Sequence, residues 1–142
     1  MSVTSGVDTD TRNAIAELVA EFNWKLDNSQ PEGFAGLFTP DGVFAAGGKE
    51  HRGAETLQAF ADARTAQDKV SRTFLGAHHL VRISDDEVHG VLPNILFMAA
   101  GEGPRVPDVF AVAEYHDVYR RVGDQWLISE RRSTQVFTRP KR

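Results

Sequence analysis

Apolar residues recur at Ile15, Leu18, Val19, Phe22 and Leu26, steps of three and four that predict one amphipathic helix. Asp10 or Thr11 can cap its start, and the polar run Asp27-Asn28-Ser29-Gln30 ends it. Pro31 then suits the first turn of a second short helix running through Leu37. Thr39-Pro40-Asp41-Gly42 reads as a turn with Asp41 as a turn residue, followed by a short strand over 43–45 and a Gly47-Gly48 turn. A third helix is predicted over 54–66, with Leu57, Phe60 and Ala61 on one face and no internal Gly or Pro. From Ser71 onward the texture changes to β-branched and aromatic runs. Four long strands are predicted, over 73–83, 88–99, 109–121 and 125–138, joined by Ser84-Asp85-Asp86, Gly101-Glu102-Gly103-Pro104 and Val122-Gly123-Asp124.

Three helices followed by an antiparallel meander predict an α+β domain, with the helices packed on one side of a strongly bent sheet. The single domain spans 10–138, after a polar lead-in over 1–9 and before a basic tail over 139–142. A chain of 142 residues is long enough to bury a core without disulfide or metal staples, and it contains no cysteine at all. Sixteen Lys and Arg stand against twenty Asp and Glu, a net charge of -4, which gives no field for nucleic acid. The first residues lack the charged and apolar regions of a secretory signal, so a cytoplasmic location is expected. No apolar run approaches the roughly 20 residues of a membrane-spanning helix, the longest being interrupted by Pro93 and Asn94.

Two side chains draw attention as acid–base chemistry: Asp27 at the end of the first helix and His79 near the start of a strand. A negative charge at a helix C-terminus is disfavoured by the helix dipole, so Asp27 needs a compensating partner. On a continuous strand, Leu75, Ala77, His79, Val81 and Ile83 share the more uniformly apolar face, which aims His79 into the core or a cavity. His78 and Arg82 then take the other face. Tyr115, Asp117 and Tyr119 share a face of their strand, with His116 opposite. Trp24 lies off the apolar stripe of the first helix and is expected to face a cavity or a partner, while His51 and His89 carry no assigned role. No metal site is expected, because the five histidines have no i,i+4 helical pair, and adjacent His78 and His79 point apart. GxGxxG, GxxxxGK[ST] and GxSxG are all absent.

Several segments together resemble the SnoaL-like group of the nuclear transport factor 2-like superfamily. They are Leu26-Asp27, Leu37-Phe38-Thr39-Pro40-Asp41-Gly42-Val43-Phe44, Arg52-Gly53, His78-His79, Tyr115-His116-Asp117 and Trp126-Leu127-Ile128-Ser129-Glu130-Arg131. The resemblance covers about 10–138 and implies a cone-shaped α+β barrel whose cavity opens between helices and sheet. By motif it is closest to the branch of scytalone dehydratase and bile acid 7α-dehydratase. In that branch an Asp and a His eliminate water next to a carbonyl, and these match Asp27 and His79. The branch places a Tyr five residues before the Asp, where this chain has Phe22, so Asn23, Tyr115 or His78 would have to donate to the substrate oxygen.

The function this implies is a small cofactor-independent lyase or isomerase acting on a hydrophobic, cyclic, carbonyl-containing molecule. His79 would move the proton and Asp27 would orient it. Asn23, Tyr115, His78 or Arg131 would hydrogen-bond the substrate, within walls of Phe22, Trp24, Leu57, Phe60, Leu92, Phe97 and Phe110. The alternatives are a noncatalytic ligand-binding or assembly module, or a dioxygenase small subunit. The resemblance further implies a homodimer or homotrimer.

Overall fold

The computed structural model describes residues 6–106 and 109–138. Helix α1 runs Thr9–Asp27, two residues earlier than the expected cap, because Asp8 accepts the Thr11 amide at 2.7 Å. The second predicted helix is a single 3-10 turn, Phe34–Leu37. Gly33, in the left-handed region at φ 77° just before it, breaks the path from Pro31, and four residues are too few for an α-helix to propagate. Strand β1, Phe38–Ala46, absorbs the expected turn at 39–42 as a shift in register between Phe38 and Val43. There Thr39 Oγ1 donates to Asp41 Oδ1 at 3.0 Å, so Asp41 organises a kinked strand rather than a connection. Strand β2, Lys49–Arg52, and helix α2, Ala54–Thr65, follow.

The strand expected over 73–83 is two strands, β3 (Val70–Leu75) and β4 (His79–Ser84), both antiparallel to β5 (Glu87–Ala99). Strands β6 (Val109–Val122) and β7 (Gln125–Phe137) complete the predicted meander. β7 also pairs parallel with β1, so the seven-stranded sheet is mixed, in the order β2-β1-β7-β6-β5-β3 with β4 beside β5. The two helices pack on the concave side of this curved sheet, forming the expected α+β cone. Ile15, Leu18, Val19 and Phe22 of α1 meet Leu57 and Ala61 of α2, together with Leu80, Val88, Leu92, Tyr119 and Ile128 of the sheet. Burial of these side chains from water is the main force holding the layers together.

The break between β3 and β4 decides where the histidines point. Thr73 pairs with Leu96 and Ser71 with Met98, whereas Leu80 pairs with Gly90 and His79 with Val91. One extra residue is therefore spent over 76–78, where the Gly76 amide donates to the Pro93 carbonyl at 2.8 Å. Strand side chains alternate, so a one-residue insertion exchanges the two faces. Odd positions face inward in β3 and even positions in β4, which buries Leu80 and leaves Val81 and Ile83 exposed.

Candidate functional site

Between the C-terminal end of α1, α2 and the concave sheet lies a cavity of about 980 Å³. Its apolar wall includes Leu26, Phe44, Phe60, Leu96 and Met98, and its polar wall includes Asn23, Asp27, Arg64, Lys69, Thr73, Asn94, Tyr115 and Ser133. A large cavity whose wall combines apolar surface with convergent polar groups is a candidate site for a small ligand.

Asp27 is fixed in this wall by β3 rather than by a histidine. Its Oδ1 accepts from Ser71 Oγ at 2.7 Å and Thr73 Oγ1 at 3.3 Å, and its Oδ2 accepts from the Thr73 amide at 2.9 Å. Arg72 Nη1 caps the Asp27 carbonyl at 2.8 Å. These donors supply what the helix terminus denies a carboxylate. An ionised carboxylate offers about four acceptor positions; three are taken, and one is left for the cavity that Asp27 lines.

Tyr115 lines the same cavity, and its hydroxyl makes no hydrogen bond among the described residues. Burial pushes its pKa upward, with the Asp117 and Asp27 charges adding to the effect against the opposing pull of Arg131 and Arg64. The phenol therefore keeps its proton at neutral pH and can donate it in a hydrogen bond. Asn23, buried, gives one amide hydrogen to the Val19 carbonyl at 3.1 Å, so its second hydrogen is available to a ligand. Asn94 is likewise buried in the cavity wall. It is a functional candidate that the apolar run around it concealed.

The proposed Asp–His pair does not form. His79 is exposed on the outer face of β4, in a groove with Val81, Ile83, His89 and His116, and no histidine lines the cavity. His78 points inward, but to the Tyr119 side of the core. Tyr119 donates its one hydroxyl proton to Asp117 Oδ2 at 2.5 Å, so the oxygen 3.2 Å from His78 Nε2 must accept from that ring. Gly90 permits this approach, since a Cβ there would come within 2.9 Å of His78 Nε2 and 3.1 Å of the Tyr119 ring.

Arg131, expected to hydrogen-bond the substrate, does not line the cavity. It is fully buried and grips Asp117 through both ends of its guanidinium, Nε to Oδ1 at 2.9 Å and Nη2 to Oδ2 at 2.8 Å. Burial opposes its charge, but Asp117 outweighs burial and pushes the pKa of Arg131 above its ordinary value. The guanidinium carbon lies 4.6 Å from the ring centre of Phe22 and 4.0 Å from that of Tyr115, two cation–π contacts from rings set edge-to-face to each other at 77°. Nη1 has no hydrogen-bond partner among the described residues, and the two ring faces bear on this charge. Arg131 thus supports the ring of Tyr115 from beneath.

The remaining expected wall residues divide. Phe60 lines the cavity, whereas Phe22, Leu57 and Leu92 are core. Trp24 is 54% exposed, because its position lies off the buried stripe of α1. Phe97 occupies an odd, outward position of β5 and packs edge-on against Phe74. The side chain of Phe110 lies outside the described residues, as do most of the lead-in and the tail at 139–142. Arg64, Ser71, Thr73 and Lys69 were missed. The inward parity of β3 would have found the middle two once its register on β5 was fixed.

His78 supplies a pH test of the buried network. Burial lowers its pKa from 6.5 to about 4, aided by the nearby charges of Arg131 and Arg12 and opposed by Asp117. The ring is neutral in the fold, so its contribution is fully present above pH 6.5 and is lost as pH falls toward 4. Solvent at the half-buried ring screens the full effect, and about 1–2 kcal/mol is expected. Urea titrations at pH 7 and 4.5 should show that loss in the native protein and a smaller one in His78→Gln. Equal pH dependence in the two would remove His78 as the cause.

A SnoaL-like domain model matches residues 7–132 of the chain. The chain belongs to the SnoaL-like domain family. This SnoaL-like protein is similar to a protein of unknown function from Mycobacterium tuberculosis, at 26% identity over 91% of this chain and 78% of that one, with a TM-score of 0.81. It also resembles a candidate scytalone dehydratase from Novosphingobium aromaticivorans, at 16% identity over 89% and 84% of the two chains, TM-score 0.77. A nuclear transport factor 2-like protein with a cystatin-like fold from the same organism is 19% identical over 92% of each chain, TM-score 0.73. The last two likenesses carry the fold alone. No curated protein sequence matches the chain.

Proposed function

We propose that this SnoaL-like protein is a cofactor-independent lyase or isomerase that moves a proton next to the carbonyl of an apolar, cyclic small molecule. The supporting observation is that Asp27 and Tyr115 line one cavity of mixed apolar and polar wall, the carboxylate with an acceptor position left and the hydroxyl without a partner among the described residues. Asp27 takes the proton from the carbon beside the carbonyl, and the electron pair moves onto the carbonyl oxygen. Tyr115 and the second amide hydrogen of Asn23 donate to that developing oxyanion. Protonated Asp27 then gives the proton back at another carbon, which is isomerisation, or to a β-hydroxyl that leaves as water, which is dehydration. Either way the enolate collapses and Asp27 returns to its charged form.

The proton carrier in this reading is Asp27 and not His79. A set of bicyclic β-hydroxyketones, followed by the ultraviolet absorbance of the enone formed, tests it. The native protein should accelerate water loss from at least one, and His79→Ala should keep that rate within about twofold, far from the loss expected on removing a general base. A rate that collapses in His79→Ala would return the histidine to the chemistry.

A further inference from the structure

Among the described residues, three charged side chains line the cavity, Asp27, Arg64 and Lys69, and two of them are cations. None of the ion pairs among the described residues includes Arg64 or Lys69. Arg64 lies in the last turn of α2, where the helix dipole favours a cation, and it is half-buried rather than fully solvated. Burial pulls its pKa downward, with Asp27 and Tyr115 opposing. The one hydrogen bond described for its guanidinium runs from Nη2 to Ser71 Oγ at 2.9 Å, and that same hydroxyl donates to Asp27 Oδ1 at 2.7 Å. Ser71 thus stands between cation and carboxylate and holds them one hydroxyl apart, and the remaining N–H groups of the fork make no described bond.

We infer that the ligand of this cavity carries a carboxylate on its apolar ring system, received by the guanidinium of Arg64 with Lys69 at the rim. This deepens the function proposed above and rests on the same cavity. One monoanion brings the three wall charges to neutrality, which a neutral ligand fails to do and a dianionic phosphate overshoots. A planar carboxylate also matches the guanidinium fork, which can offer two parallel donors. The arrangement fixes the substrate's direction, since a carboxylate held at Arg64 sets the ring at a defined reach from Asp27, the proposed base.

Paired probes of equal shape test this: 2-naphthoate and its neutral counterpart 2-naphthamide, titrated by naphthalene fluorescence. The native protein should bind the naphthoate at least about tenfold more tightly than the amide. Arg64→Met should erase the preference while leaving amide binding in place, and Arg64→Gln should do the same if the Met variant folds poorly by circular dichroism. Asp27→Asn removes a repelling charge and should tighten naphthoate further. Equal binding of the two probes, a preference that survives both Arg64 variants, or no binding of either probe to the native protein would overturn the inference. A preference that depends on Arg64 in a protein that moves no proton from a ketone would sink the catalytic reading and keep this one.

Discussion

Arg131→Met is expected to destabilise the protein by about 3–5 kcal/mol, read as a lowered urea midpoint. The reason is what it leaves behind. Asp117 is completely buried, and it accepts from Arg131 Nε, Arg131 Nη2 and Tyr119. Without the guanidinium, a carboxylate remains in an apolar interior with one hydroxyl donor. The intact pair contributes much less than its breakage costs, because two charges had to leave water to form it. The double variant Arg131→Met with Asp117→Leu should therefore recover much of the lost stability. Losses that simply add would mean that the two side chains act separately, against the bidentate contact. The single variant should also loosen Tyr115, whose ring rests on the guanidinium at 4.0 Å.

Asp27→Asn should lower turnover by about a hundred- to ten-thousandfold, the usual range for a general base. The substitution preserves shape but not proton affinity. Its amide also keeps only one acceptor oxygen where Ser71 and Thr73 now use two, so a stability loss of about 1–2 kcal/mol is expected alongside. That loss is too small to unfold an ordinary domain. Ser71→Ala separates positioning from chemistry, because it removes the hydroxyl that steers Oδ1 and leaves the carboxylate. A moderate fall in kcat is expected there, well short of the Asn variant.

The fold was legible wherever hydrophobic periodicity ran unbroken. The stripe from Ile15 to Leu26 and the last three strands needed no tertiary information, and the ordered segments from Leu26-Asp27 to Arg131 pointed to the right family. Besides the kink that makes strand of the turn expected at 39–42, legibility stopped at two irregularities. Gly33, at φ 77°, breaks the helix expected from Pro31, and the residues over 76–78 insert one position into what reads as a single strand. Alternation carries no memory across such a break, so the positions read as inward point outward at His79, Val81 and Ile83, and Leu75 before the break is itself 41% exposed. That one position moved His79 from the expected cavity to the outer face and set His78 against Tyr119. Asp27, Asn23 and Tyr115 line the cavity because α1 is unbroken and β6 keeps its register from Ala113 to Val118, between its two shifts against β7. Arg131 was expected to hydrogen-bond the substrate. Its buried partner, Asp117, comes from a neighbouring strand, a relation fixed by register and not by spacing along the chain.

The most direct test of the account is proton exchange at carbon, which needs no knowledge of the natural substrate. A bicyclic ketone such as 2-tetralone, incubated in D₂O, loses its α-proton signals in the proton NMR spectrum as deuterium enters. The account predicts that the native protein accelerates this loss over buffer, that Asp27→Asn does not, and that His79→Ala behaves as native. No acceleration by the native protein, or the same acceleration by Asp27→Asn, would contradict it and leave the cavity as a binding site without acid–base chemistry.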